Sequence, residues 1–81
     1  MKLFMISSDN VREMDVEWLG ITTMQGQYII GAGHAPAIIQ VKPHSALMLH
    51  LPGGAVTSVP ISGGIVHVDR TVINIIIVDS L

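Results

Sequence analysis

The chain has 81 residues, of which 49% are apolar and 12% charged, with a net charge of −2 and no cysteine. That length holds one small domain, and the missing thiols exclude a disulfide framework and a thiolate metal site. The basic residues Lys2, Arg12, Lys42 and Arg70 are scattered along the chain, which excludes the clustered positive footprint that nucleic acid requires.

The longest aliphatic run, Ile75-Ile76-Ile77-Val78, is far below the roughly 18 residues that span a bilayer, and MKLFMISSDN reads as too short and too polar for a signal-peptide core. So few charges cannot keep a large surface solvated, and a domain of this size buries only about 60% of its unfolded surface. Both features predict faces covered by partners.

Alternation of period two is frequent, and Val, Ile and Thr abound between closely spaced turn residues, which predicts an all-β chain. A first strand is expected over Lys2 to Ser7, ended by the Ser8-Asp9-Asn10 turn. A second runs from about Met14 to Thr23, with a bend or bulge at Trp18 and Gly20. Met24-Gln25-Gly26 turns into a strand over Gln27 to Ile30. The segment GAGHAPAIIQVKP follows, whose Ala37 to Lys42 part reads as a strand closed by Pro43.

Ala46 to Leu51 places Leu47, Leu49 and Leu51 on one face. After Pro52-Gly53-Gly54, Ala55 to Ser62 returns as an edge strand, marked by Pro60. Ser62-Gly63-Gly64 permits a kink before Ile65 to Val68, and Asp69-Arg70-Thr71 turns into Val72 to Val78. That last segment is apolar on both alternating faces and is expected inside a sheet, covered on both sides. About eight to ten short strands predict two packed sheets or a flattened barrel, with no linker or repeat.

Catalytic and ligand motifs find no support. His34, His44, His50 and His67 fall on different predicted strands and loops without a shared face, as scattered surface or packed histidines do, so no metal is expected. Gly31-Ala32-Gly33-His34-Ala35-Pro36 begins like a dinucleotide fingerprint, but proline stands where the third glycine belongs and a β-run replaces the helix. No cofactor is expected. Ser62 lacks the flanks of a nucleophile elbow, and Asp9, Asp15, Glu17, Asp69 and Asp79 are spread over turns and strand ends. The His34 loop reads as shaped rather than reactive: its glycines allow unusual backbone angles and Pro36 fixes the exit. A β-branched residue at Gly33 is expected to strain that backbone, whereas alanine at His44 is not.

Three elements in order, Gly33-His34-Ala35-Pro36 with Lys42-Pro43, Ile61-Ser62-Gly63-Gly64-Ile65-Val66-His67-Val68, and Val72-Ile73-Asn74-Ile75-Ile76-Ile77-Val78-Asp79, give the chain its family likeness. It resembles the N-terminal β-sandwich domain of the F-type ATP synthase epsilon subunit, called delta in mitochondria, over essentially residues 1–81. The resemblance implies a non-catalytic rotor component that docks on the gamma subunit and sits on the membrane c-ring, coupling proton or sodium flow to ATP synthesis. It implies a peripheral place on the cytoplasmic face of a bacterial inner membrane.

Carried over by position, it assigns ring contacts to Gln25, Gly26, Gln27, Gly33 and His34. Gamma contacts fall on Ser7 and on Ile38, Ile39, Gln40, Val41 and Lys42, with Pro36, Ser62, Gly63 and Gly64 as structural turns. Gln25 and Gln27 depart from the acidic residues usual in the family, which implies hydrogen bonds of about 1 kcal/mol each in place of charged bonds of roughly 1.5–3 kcal/mol. Many members continue into two C-terminal helices, and the sequence to Leu81 is expected to be a short form without them. The alternative is a stand-alone small β-sandwich or barrel that binds a ligand or metal through its histidines.

Overall fold

The computed structural model describes residues 1–78, and these contain strands and turns without a helix. There are nine strands: β1 (Lys2–Ile6), β2 (Val11–Asp15), β3 (Trp18–Thr23), β4 (Gly26–Gly31), β5 (Ala37–Val41), β6 (Ser45–His50), β7 (Val56–Ile61), β8 (Gly64–Val68) and β9 (Val72–Ile77). They form a five-stranded sheet in the order β2-β1-β9-β8-β5 and a four-stranded sheet in the order β4-β3-β6-β7. The two sheets make a β-sandwich, as the alternation predicts.

Alternation decides which side chains face inward. From the larger sheet come Leu3 and Met5 of β1, Ile73 and Ile75 of β9, Val66 and Val68 of β8 and Val41 of β5; from the smaller come Leu19, Ile21, Ile30, Leu47, Leu49 and Ile61. Each fully buried aliphatic side chain contributes about 1.5–3 kcal/mol relative to exposure, so this single layer is the main stabilising element. Leu47 and Leu49 are buried and Leu51 packs partly against them, the face expected for that strand.

The segment expected as one strand from Met14 to Thr23 is two, because the chain changes sheets there. Val16 N–H donates to the Met1 carbonyl at 2.9 Å in the larger sheet, and Glu17 N–H donates to the His50 carbonyl at 2.6 Å in the smaller. β2 itself, VREMD, is charged and pairs antiparallel with β1; its polar composition hid it as a strand. No bulge occurs at Trp18 and Gly20. Both pair in unbroken register with Gly31 and Ile29 on β4 and with His50 and Met48 on β6. The bare α-carbon of Gly20 instead lets Met48 approach, since a Cβ there would lie 3.3 Å from the Met48 Cβ.

β9 is interior, between β1 and β8, and β7 with Pro60 is an edge, both as expected. β9 is covered on one side only: Ile73 and Ile75 are fully buried, while Ile76 is 46% exposed on the opposite face. The Asp79 that closes the third sequence element lies outside the described residues.

His44, in the turn between β5 and β6, has φ 57°. Backbone strain is therefore not confined to the Gly33 loop, because a non-glycine residue here also occupies the left-handed region. The His44 N–H donates to the Ser62 carbonyl at 3.0 Å, which ties this turn to the Ser62-Gly63-Gly64 segment. Gly64 is required for close approach: β8 and β9 come so near that a Cβ would lie 2.8 Å from the Ile76 carbonyl oxygen, whereas one at Gly63 would meet nothing within 4 Å.

Candidate protein docking surface

The β3–β4 turn is built by Thr23, a buried residue. Its hydroxyl donates to the Gly26 carbonyl at 2.9 Å and accepts from the Gln25 N–H at 3.1 Å, so the turn presents Met24 and Gln25 in a fixed shape. At the other end of β4, the His34 N–H donates to the Gly31 carbonyl at 3.2 Å, and His34 Nδ1 lies 2.7 Å from the Ala35 carbonyl. Gly33 has φ +80° with open space around it. Its dihedral angle, not crowding, selects glycine there.

These two ends of β4 open on one depression of about 500 Å³ lined by Gln25, Tyr28, His34 and the successive β5 residues Ile38, Ile39, Gln40 and Val41. The depression is the lateral mouth of the sandwich, between the edge strands β4 and β5. Residues assigned separately to the ring and to gamma thus share a surface. The remaining assigned residues lie elsewhere. Gln27 lines a smaller depression of about 180 Å³ on the outer face of the four-stranded sheet, with Trp18, Met48 and His50. Gly33 and Pro36 border a small hollow with Arg70. Gly26 opens β4 beside the turn.

Ser7 and Ser62 border a further hollow with His44 and Ile77. The register Val41–Gly64–Ile77, with Ile76 opposite Ile6, puts Ser7 and Lys42 at the same end of the five-stranded sheet. Three strand spacings separate them, about 14 Å.

The outer face of that sheet is the feature that strand-by-strand reading missed. One row across it runs Val11, Ile6, Ile76, Ile65 and Gln40, and Ile38 stands in the next row beside His67. Val11 is 62% and Ile38 74% exposed. Isolated exposed aliphatic residues are ordinary, but a contiguous row of them marks a contact surface. The signal was present in Val72 to Ile77, whose second apolar face has nothing over it among the described residues.

No group of three or more His, Cys, Asp or Glu side chains that could hold a metal occurs among the described residues. His50 is occupied by stacking on Trp18, with ring centroids 3.1 Å apart and planes inclined by 19°. The chemistry this surface offers is shape, apolar area and main-chain hydrogen bonding.

Residues 2–80 match the family model described as ATP synthase, Delta/Epsilon chain, beta-sandwich domain. The chain belongs to this family. No curated protein sequence matches it. Among solved structures it is similar to a chain of the Euglena gracilis mitochondrial ATP synthase, in a cryo-EM structure of OSCP/F1/c-ring in rotational state 1, with 28% identity and a TM-score of 0.86. The match covers 98% of this chain and 51% of that one, so the chain spans about half the length of the solved chain it matches. No helix among the described residues is long and apolar enough to cross a membrane.

Proposed function

We propose that residues 1–81 act as one epsilon-type unit of the rotating central stalk of an F-type ATP synthase. The unit makes and breaks no bond. It is held between the gamma subunit and the c-ring, so that proton or sodium driven rotation of the ring reaches the catalytic head. Membership of the delta/epsilon family over residues 2–80 carries this reading. A sheet face with a contiguous aliphatic row and a shaped lateral mouth supports it physically. Its place is peripheral to the membrane, on the cytoplasmic face of a bacterial inner membrane.

Within that role, Gln25, Gly26, Gln27, Gly33 and His34 face the ring, and Ser7 with Ile38 to Lys42 faces gamma. The sequence contains no cysteine, so single cysteines introduced at Gln25 and Ile38 report contacts without background. In the assembled enzyme, Gln25→Cys is expected to cross-link to the c-ring and Ile38→Cys to gamma. Recovery of neither product, with the chain present in the assembly, overturns the assignment.

A further inference from the structure

We infer that the open side of β5 receives an extended segment of its stalk partner as a sixth strand of the larger sheet. The inference rests on the stalk reading above and specifies how the partner is held.

The sandwich has four edge strands: β2 and β5 in one sheet, β4 and β7 in the other. Edges are ordinarily protected by charge or proline, because their unpaired N–H and C=O groups template further pairing. β2 carries Arg12, Glu13 and Asp15, and β7 carries Pro60. Neither β5, AIIQV, nor β4, GQYIIG, has a charge or a proline, and β5 is the one whose sheet carries the row of exposed aliphatic side chains.

Two independent contacts fix which β5 amides are open. Lys42 N–H donates to the Thr22 carbonyl on the side away from β8, and strand alternation turns the N–H groups of Gln40 and Ile38 the same way. From the other direction, the Gly63 carbonyl accepts from Val78 N–H on the β9 side. Gly64, Val66 and Val68 therefore face β5, opposite Val41, Ile39 and Ala37. The main-chain groups of Ile38 and Gln40 have no strand partner among the described residues.

Beside them lies the 500 Å³ mouth bordered by Tyr28 and Ile39, with Ile38 on the solvent face. A strand laid there meets apolar side chains on both of its faces. The occupant is thus an uncharged extended segment with branched aliphatic residues on both faces, and its hydrogen bonds come from main chain rather than from ion pairs.

The experiment measures amide hydrogen exchange in the full chain, alone and in complex with the gamma subunit of the same genome. Ile38 and Gln40 are expected to slow by at least about 100-fold in the complex, with Ala37, Ile39 and Val41 little changed because β8 already holds them. Gln40→Pro, which removes the N–H, is expected to weaken binding roughly tenfold, the size of one lost main-chain bond, while Gln40→Ala retains it. A complex in which Ile38 and Gln40 exchange at their free rates overturns strand addition and leaves the stalk reading intact. Protection of the same amides in the isolated chain at high concentration assigns the edge to a second copy and also overturns it. Failure to bind gamma overturns the stalk reading and this inference together.

Discussion

The α-carbon of Gly64 faces the main-chain carbonyl of Ile76 so closely that a methyl group on it would reach within 2.8 Å of the oxygen. Main chain cannot rotate out of the way as a side chain can. Gly64→Ala is expected to cost about 1–3 kcal/mol by overpacking, and Gly63→Ala less than about 0.5 kcal/mol, as an open surface position does. Denaturant unfolding of the two variants checks the ranking. Equal losses would show that the paired glycines serve flexibility rather than close packing.

His44 occupies the left-handed region at φ 57°. A β-branched side chain there is expected to destabilise by about 1–2 kcal/mol, while glycine is expected to be neutral or slightly stabilising. Thermal unfolding of His44→Val and His44→Gly measures this. A stable valine variant would mean that the turn relaxes to an ordinary conformation.

Trp18 is the chain's single tryptophan, and His50 covers one face of it. Removing the imidazole in His50→Ala should red-shift the emission as water reaches the indole, with a stability loss of about 0.5–1.5 kcal/mol for the lost ring pair. Unchanged emission would place the two rings apart in solution.

Lys2 and Glu13 form an ion pair diagonally across β1 and β2 at 3.1 Å, with both side chains about half exposed. Solvent screening holds such a pair to about 0–1 kcal/mol. Lys2→Ala should thus be nearly silent, whereas Leu3→Ala, one residue along and fully buried, should cost about 2–5 kcal/mol. Comparable losses at the two positions would contradict the burial pattern of β1.

Alternation located most strands because inward positions such as Leu47 and Leu49 recur every second residue between turn signals. It failed at β2, where a charged edge strand carries little hydrophobic pattern, and at the sheet change near Val16, which two long-range hydrogen bonds decide. The outer face of β9 was misread for a related reason. Ile76 is apolar whether it is covered by this chain or by another, and local sequence does not distinguish the two. The likeness to the family gave candidate contacts by position, but Ser7 and Lys42 share a sheet end only through the pairing of four strands. That relationship is topological and has no local signature.

The parallel pairing of β1 with β9 places the first and ninth strands side by side in the interior of the larger sheet. A nascent chain emerging from the ribosome therefore holds β1 without its inner neighbour until residues 72–77 have been made. Local hairpins can form early, but closure of the sheet waits for β9, a high-contact-order step that is slow and cooperative. Until then the inward side chains Leu3, Met5, Val66 and Val68 lack their β9 neighbours, and a translation product interrupted before β9 would be a substrate for chaperones and proteases.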